Sequence, residues 1–107
     1  METKITPVKT GDNIVIIGRR WFDRVNGNTY FSANGLINGV EVISISYEYG
    51  YGEQYADRIY QELEKAGYLP DVIHHNNGSN EPLWQYCKRK GITKYTSVSD
   101  VSRKKDL

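Results

Sequence analysis

The chain has 107 residues, enough for one domain with one hydrophobic core. Its 14 basic and 13 acidic residues leave a net charge of +1, which argues against a general nucleic-acid coat protein. A single cysteine rules out an internal disulfide and fits a reducing compartment. We expect neither a secretory signal nor a membrane-spanning segment, and therefore a cytoplasmic protein.

The first half of the chain predicts a three-stranded antiparallel meander. The β-branched run that begins at Ile14 is typical of a strand and continues to Phe22. Asn26-Gly27 and Asn38-Gly39 are typical of two-residue hairpin turns, in which both positions need a positive φ. The predicted strands cover residues 14–22, 28–37 and 40–49.

Two helices and a fourth strand are predicted in the second half. A helix over 53–66 is indicated by apolar residues that recur on one side at helical spacing. These residues are Tyr55, Ile59, Leu63 and Ala66. A short second helix is predicted over 81–90, with Ser79 or Asn80 as its N-cap. The fourth strand is predicted over 92–98.

The ends of the chain are predicted to lie outside this core. Residues 1–12 are polar and form a flexible or edge-strand arm, and residues 102–107 form a basic tail. The fold class is therefore a single α+β domain. Its first helix packs on one face of the meander, and the short second helix and the fourth strand follow.

Strict alternation along the meander gives its two faces different compositions. One face carries small residues that let the first helix approach closely. They are Gly18, Ala33, Gly35, Ser44 and Ser46, with Arg20 among them. The other face mixes Arg19, Trp21, Tyr30, Ser32, Asn34, Ile43, Ile45 and Tyr47. This mixture suits a ligand with a ring and a phosphate, a homodimer interface, or an ordinary half-exposed sheet face.

Arg19-Arg20-Trp21-Phe22 is the most unusual tetrapeptide of the chain. In a strand its side chains alternate, so one Arg shares a face with Trp21. A guanidinium group can bind phosphate through two parallel hydrogen bonds, and an indole can stack on a base. The structural alternative is that the arginines form ion pairs with Glu41, Glu48 or Asp23.

Three further motifs are weaker candidates for chemistry. His74-His75 have no cysteine or acidic cluster at metal-ligand spacing, and Cys87 lies on the predicted buried side of the second helix without a base beside it. Gly50-Tyr51-Gly52 lacks the length and the Lys of a phosphate-binding loop. No arrangement in the sequence indicates an enzyme, and we expect no catalytic residue, no metal and no cofactor.

Several short motifs occur together in this chain. They are Ile17-Gly18-Arg19-Arg20-Trp21-Phe22, Gly27-Asn28-Thr29-Tyr30 with Ser32, Tyr49-Gly50-Tyr51-Gly52 with Gln54 and Tyr55, Leu83 with Tyr86 and Cys87, and Asp100-Val101 with Arg103, Lys104 and Leu107. Together they resemble a widespread group of small, mostly uncharacterised proteins of tailed bacteriophages, and the chain departs from that pattern at Phe31. The resemblance implies an accessory protein that acts in the bacterial cytoplasm, without an agreed activity. Phage proteins of this size commonly counter host defence.

The first hypothesis is a homo-oligomeric binding protein that sequesters a phosphate-containing nucleotide signal of host immunity. The residues expected to bind this ligand are Arg19, Arg20, Trp21, Tyr30, Ser32, Tyr47 and Arg103. The alternative is an inhibitor or regulator that binds a host defence protein and takes no small ligand. A nucleic-acid binder and a small nucleotide hydrolase are less favoured, and no membrane partner is expected.

Overall fold

The structure is a computed structural model and describes residues 6–50, 52–75, 78 and 80–107. Its strands are β1 (Asn13–Asp23), β2 (Asn28–Ile37), β3 (Val40–Tyr49) and β4 (Thr93–Val101). Its helices are α1 (Gln54–Lys65), α2 (Leu83–Lys90) and the 3-10 helix η1 (Lys104–Asp106). None of the helices in the described ranges is long and apolar enough to cross a membrane.

The strands form one sheet in the order β3-β2-β1-β4. β1 pairs with β2, and β2 with β3, in antiparallel orientation, which confirms the predicted meander. The predicted fourth strand is present as β4 and pairs in parallel with β1. The chain between these two parallel strands contains both α-helices, so the α+β class is confirmed as well.

The first hairpin is closed by a longer turn than its Asn-Gly dipeptide predicts. Asp23 pairs with Asn28, so residues 24–27 form the loop. The Asp23 carboxylate accepts hydrogen bonds from the backbone N–H groups of Val25 and Asn26 at 3.0 and 3.3 Å, which favours the wider turn. A two-residue turn would place Val25 opposite Asn28, so the observed pairing is shifted by two positions. Because side chains alternate with a period of two, this shift leaves every side chain of β1 and β2 on its predicted face.

The second hairpin starts in the predicted register, and two β-bulges then shift it. Ile45 lies opposite Ala33 and is buried in the core, and Ile43 shifts to the same side of the sheet. Ser44 lies opposite Asn34 on the other side. The predicted faces of these three β3 residues are therefore wrong, because strict alternation does not allow for the extra residue of a bulge.

α1 packs on the predicted face of the sheet. Its residues Tyr55, Ile59 and Leu63 are buried, which confirms these three positions of the predicted stripe, whereas the fourth, Ala66, is the half-buried C-cap residue. A Cβ atom added to Gly18 would lie 2.5 Å from Cδ2 of Tyr55, and one added to Gly35 would lie 2.7 Å from Cγ2 of Ile59. These two glycines therefore set how closely the helix approaches the sheet.

α2 starts later than predicted, because the residues before it form a loop. Its N-cap is Pro82. The side chain of Asn80 contacts a histidine of the loop instead of capping the helix, and Ser79 lies outside the described residues. Glu81 was predicted to be helical, but it precedes α2, is buried, and accepts hydrogen bonds from the guanidinium group of Arg89.

The described parts of both ends contact the domain. In the predicted N-terminal arm, Val8 is buried and its N–H donates to the carbonyl of Tyr68 at 2.8 Å. Residues 1–5 lie outside the described residues. The predicted basic tail, 102–107, contains η1, which places the end of the chain beside the sheet.

Candidate functional site

The open face is the side of the sheet opposite α1. Its side chains alternate with Gly18 and Gly35, and neither α1 nor α2 packs over it. On the first three strands it carries Val15, Ile17, Arg19, Trp21, Asp23, Tyr30, Ser32, Asn34, Leu36, Glu41, Ser44, Tyr47 and Tyr49. This is the face on which the sequence places most of the candidate binding residues.

Arg19 lies half-buried on β1, one of the two inner strands of the sheet. Its Nε donates to Ser32 Oγ at 3.1 Å, and its Nη2 donates to Asn34 Oδ1. Within the part of the chain that the structure describes, Arg19 forms no ion pair with a carboxylate. Neutral acceptors therefore hold its cation in place, and a guanidinium group has five N–H donors in all, so others stay available for a ligand.

Aromatic rings stack in a row across β1, β2 and β3. The centroids of Trp21 and Tyr30 are 5.9 Å apart, and those of Tyr30 and Tyr47 are 4.9 Å apart, with interplanar angles of 25° and 14°. Tyr49 meets Tyr30 edge-on at 5.7 Å. The ammonium group of Lys104 lies 5.0 Å from the Tyr47 centroid. The row is thus a broad aromatic surface with a cation at its outer end.

Most of the predicted binding residues meet on the open face. They are Arg19, Trp21, Tyr30, Ser32 and Tyr47. Arg20 lies on the opposite side, where it donates to Asp100 at 3.2 Å and to the carbonyl of Gly52 at 3.4 Å. Arg103 pairs with Asp106 at 3.2 Å. Arg20 therefore lies off the open face, and Arg103 is held by a local ion pair.

The predicted alternative, in which Arg19 and its neighbour form ion pairs with carboxylates of β1 or β3, is not found among the described residues. Glu48 pairs with Arg58 of α1 at 3.0 Å instead. Glu41 accepts a hydrogen bond from Asn34, which stands between it and Arg19. The Glu41 carboxylate is thus linked to the Arg19 guanidinium group only through the side chain of Asn34.

Lys104 contributes a cation to this face that was not among the predicted binding residues. The predicted residue of the basic tail is Arg103, but Asp106 follows it at a spacing of three, which suits a local ion pair. Lys104 has no such partner within η1 and extends over Tyr47. The spacing of Arg103 and Asp106 is the signal that sets Lys104 apart from Arg103. Hydrogen bonding to Asn26 and, to a smaller extent, the charge of Lys104 lower the pKa of the Asp23 carboxyl.

A concavity of about 680 Å³ opens beside the aromatic row, where β1 and β4 end. Trp21 lines it together with Arg20 and Arg24. Two carboxylates, those of Asp23 and Asp100, line it as well. The concavity therefore has both signs of charge, and its aromatic lining is formed by Trp21 and Phe22.

The histidine and glycine motifs form no further reaction site in the described residues. Hydrogen bonds to Asn80 and to Glu64 raise the pKa of His74, and the Glu64 contact is 2.6 Å long. No group of three or more His, Cys, Asp and Glu side chains in the described ranges could hold a metal ion. In Gly50-Tyr51-Gly52 the central residue lies outside the described residues.

Cys87 is predicted to be unreactive in the folded protein. It is only 3 % exposed, and burial raises the pKa of its thiol to about 11. We expect a disulfide reagent at pH 8 to modify the folded chain at least about a hundredfold more slowly than the chain in concentrated guanidinium chloride, because both access and thiolate are lacking. Fast modification of the folded protein would contradict this.

No protein-family model, curated protein or solved structure matches this chain. The fold and the site define a class: a two-layer α+β domain with an arginine and an aromatic row on a sheet face that neither α1 nor α2 covers. The resemblance to proteins of tailed bacteriophages stays a prediction.

Proposed function

We propose that this chain binds a phosphate-containing nucleotide on its open face and thereby sequesters a signal of host immunity. The observation that carries the proposal is Arg19, a half-buried cation that neutral acceptors hold and that has no carboxylate partner in the described residues. Partial burial of an unpaired charge costs free energy, and an anionic ligand removes that cost. The phage-like motifs support an immune signal as the ligand.

The aromatic row supplies the second half of the proposed site. Arg19 and Trp21 are two residues apart on the same face of β1, a separation of about 7 Å in a strand. A phosphate held by Arg19 would therefore bring the base of a nucleotide within reach of Trp21 and of the concavity beside it. Stacking of a base on an aromatic side chain is worth about 1–3 kcal/mol. Lys104 suits a second phosphate.

A second candidate function is direct binding of a host defence protein. It is favoured by apolar side chains that stay exposed around the open face and the concavity. Tyr49 is 61 % exposed, Phe22 is 55 % exposed and Val25 is 92 % exposed. Exposed aromatic residues beside arginines are typical of protein interfaces. The two candidates use neighbouring surfaces, and a search for a small ligand separates them.

The test is to expose the purified protein to nucleotides from phage-infected, defence-bearing bacteria. After washing, the protein is denatured and the released molecules are identified by mass spectrometry. We expect release of an intact nucleotide. Release of nothing from folded protein would overturn nucleotide binding and favour a host protein as partner. Release of a converted nucleotide would overturn sequestration and favour turnover.

Substitution of Arg19 is predicted to weaken nucleotide binding. Arg19→Met should raise the Kd of the released nucleotide by about ten- to a hundredfold, because hydrogen bonds to charged groups are worth about 1.5–3 kcal/mol. Arg19→Lys should fall between this variant and the wild type, since it keeps the charge and loses the two-pronged geometry. Isothermal titration calorimetry measures both.

The control for this prediction is Lys88→Met, which removes one exposed positive charge from α2, away from the open face. Its Kd should equal that of the wild type. Circular dichroism confirms that each variant is folded. If Arg19→Met bound the nucleotide as tightly as the control, the site would lie elsewhere on the protein.

A further inference from the structure

β4 is an edge strand with a free side. In the order β3-β2-β1-β4 the described strands give it a neighbour on the β1 side alone. Its nine residues pair with β1 without a register shift and include no proline. β3, at the opposite edge, is interrupted by two bulges. Bulges and prolines are devices that prevent further pairing at a sheet edge, so β3 is protected in a way that β4 is not.

The outward-pointing backbone groups of β4 belong to its even-numbered residues. The N–H of Thr93 donates to the carbonyl of Asp12 at 3.1 Å, so the N–H of Thr93 points toward the β1 side. In a strand the direction of the backbone N–H and C=O groups alternates with a period of two. The groups at the free edge are therefore those of residues 94, 96, 98 and 100.

The charges of β4 are complementary to themselves. When two copies of β4 pair antiparallel about Ser97, Lys94 of one copy lies opposite Asp100 of the other, and twofold symmetry repeats the pair. Both side chains are exposed in the single chain. Thr96 then lies opposite Val98, and the small Ser97 meets its own counterpart at the centre. Opposite charges placed directly across two strands stabilise the pairing.

Backbone direction and charge select the same register. Around Ser97, the facing pairs Lys94–Asp100 and Thr96–Val98 consist of even-numbered residues, whose N–H and C=O groups point outward. Each such pair can exchange two hydrogen bonds. Moving the centre to Thr96 or Val98 keeps this backbone pattern but loses the ion pairs. The centre at Ser97 satisfies both requirements.

We propose that β4 pairs antiparallel with β4 of a second copy of this chain, so that two four-stranded sheets join into one continuous sheet. Asp100 already contacts Arg20 at 3.2 Å while its side chain is 79 % exposed, which leaves it free to meet a second cation. Asp100 also lines the concavity, so the second copy places its Lys94 at the rim of that space. This pairing does not depend on nucleotide binding, because Arg19 and the aromatic row take no part in it.

Charge exchange tests the register. One chain has a mass of 12.3 kDa, so light scattering distinguishes the monomer from the dimer. We expect the wild type to dimerise, and Lys94→Asp and Asp100→Lys each to raise the Kd of the dimer by about tenfold or more, because each places like charges opposite one another. An equimolar mixture of the two variants should dimerise like the wild type, since the new carboxylate of one faces the new ammonium group of the other.

The matched control is Lys88→Asp, which makes the same charge change on the exposed side of α2 and should leave dimerisation unchanged. The proposal is overturned if the wild type is monomeric at high concentration, if Lys94→Asp dimerises as well as Lys88→Asp, or if the folded variants do not recover on mixing.

Amide hydrogen exchange of the wild type tests the same edge without any substitution. The amides of residues 94, 96, 98 and 100 should be protected at high concentration and exchange fast on dilution, because only the second copy covers them. Those of residues 95, 97 and 99 should stay protected at both concentrations, because they point toward β1. Fast exchange of the even-numbered amides at every concentration would overturn the proposal even if Asp100→Lys failed to fold.

Discussion

Replacing Arg89 with Met is expected to lower the free energy of unfolding by about 1–2 kcal/mol at pH 7, because it leaves a buried carboxylate without its partner. The Arg89 side chain is itself 36 % exposed, so water offsets part of the loss. Only 4 % of the Glu81 side chain is exposed. It accepts hydrogen bonds from Arg89 Nε at 2.9 Å and Nη2 at 2.7 Å. The backbone carbonyl of Glu81 also accepts a hydrogen bond from the Tyr60 hydroxyl, and its N–H donates to the carbonyl of Ile73. Glu81 therefore connects the loop before α2 to α1. Urea denaturation measures the loss.

The matched control for this prediction is Arg58→Met. Arg58 pairs with Glu48 and Glu62, whose side chains are 34 % and 31 % exposed. Ion pairs that water reaches in this way contribute less than about 1 kcal/mol, so the control should lose correspondingly little. Adding Glu81→Gln to Arg89→Met should recover part of the stability, since an amide carries no charge. Equal losses in the two Arg variants would contradict the argument from burial.

The pH dependence of the Arg89 variant follows from the same pair. Hydrogen bonding to Arg89 lowers the pKa of Glu81 from its usual value of about 4.5. In the wild type, the stability from this pair is present above that value and is lost as the pH falls through the lower pKa of the folded protein. In Arg89→Met, burial without a partner should raise the pKa of Glu81, so that variant gains stability as the pH falls from 7 toward 4.5. The difference between the two proteins therefore shrinks on acidification, which denaturation at several pH values measures.

Elements whose stabilising contacts are local could be predicted from the sequence. Helical geometry alone places Tyr55, Ile59 and Leu63 on one side of α1. The buried side of this helix could therefore be predicted without knowing what it packs against. Asn38-Gly39 adopts φ values of 52° and 83°, as a two-residue turn requires. Since β1 and β2 pair without a bulge, alternation alone also predicted the faces of Arg19 and Trp21 correctly.

The faces of β3 could not be predicted, because its bulges depend on how it fits against β2. Val42 and Ile43 are adjacent and both apolar, and both pack against the core. Strict alternation puts two neighbouring residues on opposite faces, so it assigned Ile43, Ser44 and Ile45 to the wrong sides. A bulge adds a residue where packing against the neighbouring strand requires it, and no period in the sequence marks that position.

The ion pair of Arg20 could not be predicted from the sequence for a different reason. Arg20 and Asp100 are 80 positions apart in the chain and meet only because β4 returns to lie parallel to β1. No local spacing predicts a contact of that range. Within the basic tail, by contrast, the pair Arg103 and Asp106 is local, and Lys104 could have been selected by considering it.

Gly18→Ala is expected to lower the free energy of unfolding by about 2–3 kcal/mol, because overpacking a filled core forces side chains or backbone to shift. The new Cβ atom would lie 2.5, 2.8 and 3.0 Å from Cδ2, Cγ and Cε2 of Tyr55. Cγ is the atom that attaches the ring to the rest of the side chain, and Cδ2 is bonded to it, so rotation of the ring moves them little. Tyr55 is also only 2 % exposed, so the ring has no space to turn away. Relief therefore requires α1 to move off the sheet. Gly18→Val, with a larger side chain, should prevent α1 from docking.

The control places a carbon on the opposite side of the same sheet. Ser44→Thr adds one methyl group on the open face, where Ser44 is exposed, and should leave stability within about 0.5 kcal/mol of the wild type. Gly18 is also the neighbour of Arg19 on β1, so a displaced α1 should disturb the ligand site as well as the core. We therefore expect Gly18→Ala to weaken nucleotide binding together with stability, whereas Arg19→Met weakens binding far more than it weakens the fold. A Gly18→Ala protein as stable as the wild type would mean that α1 does not approach the sheet as closely as its contact with Gly18 requires.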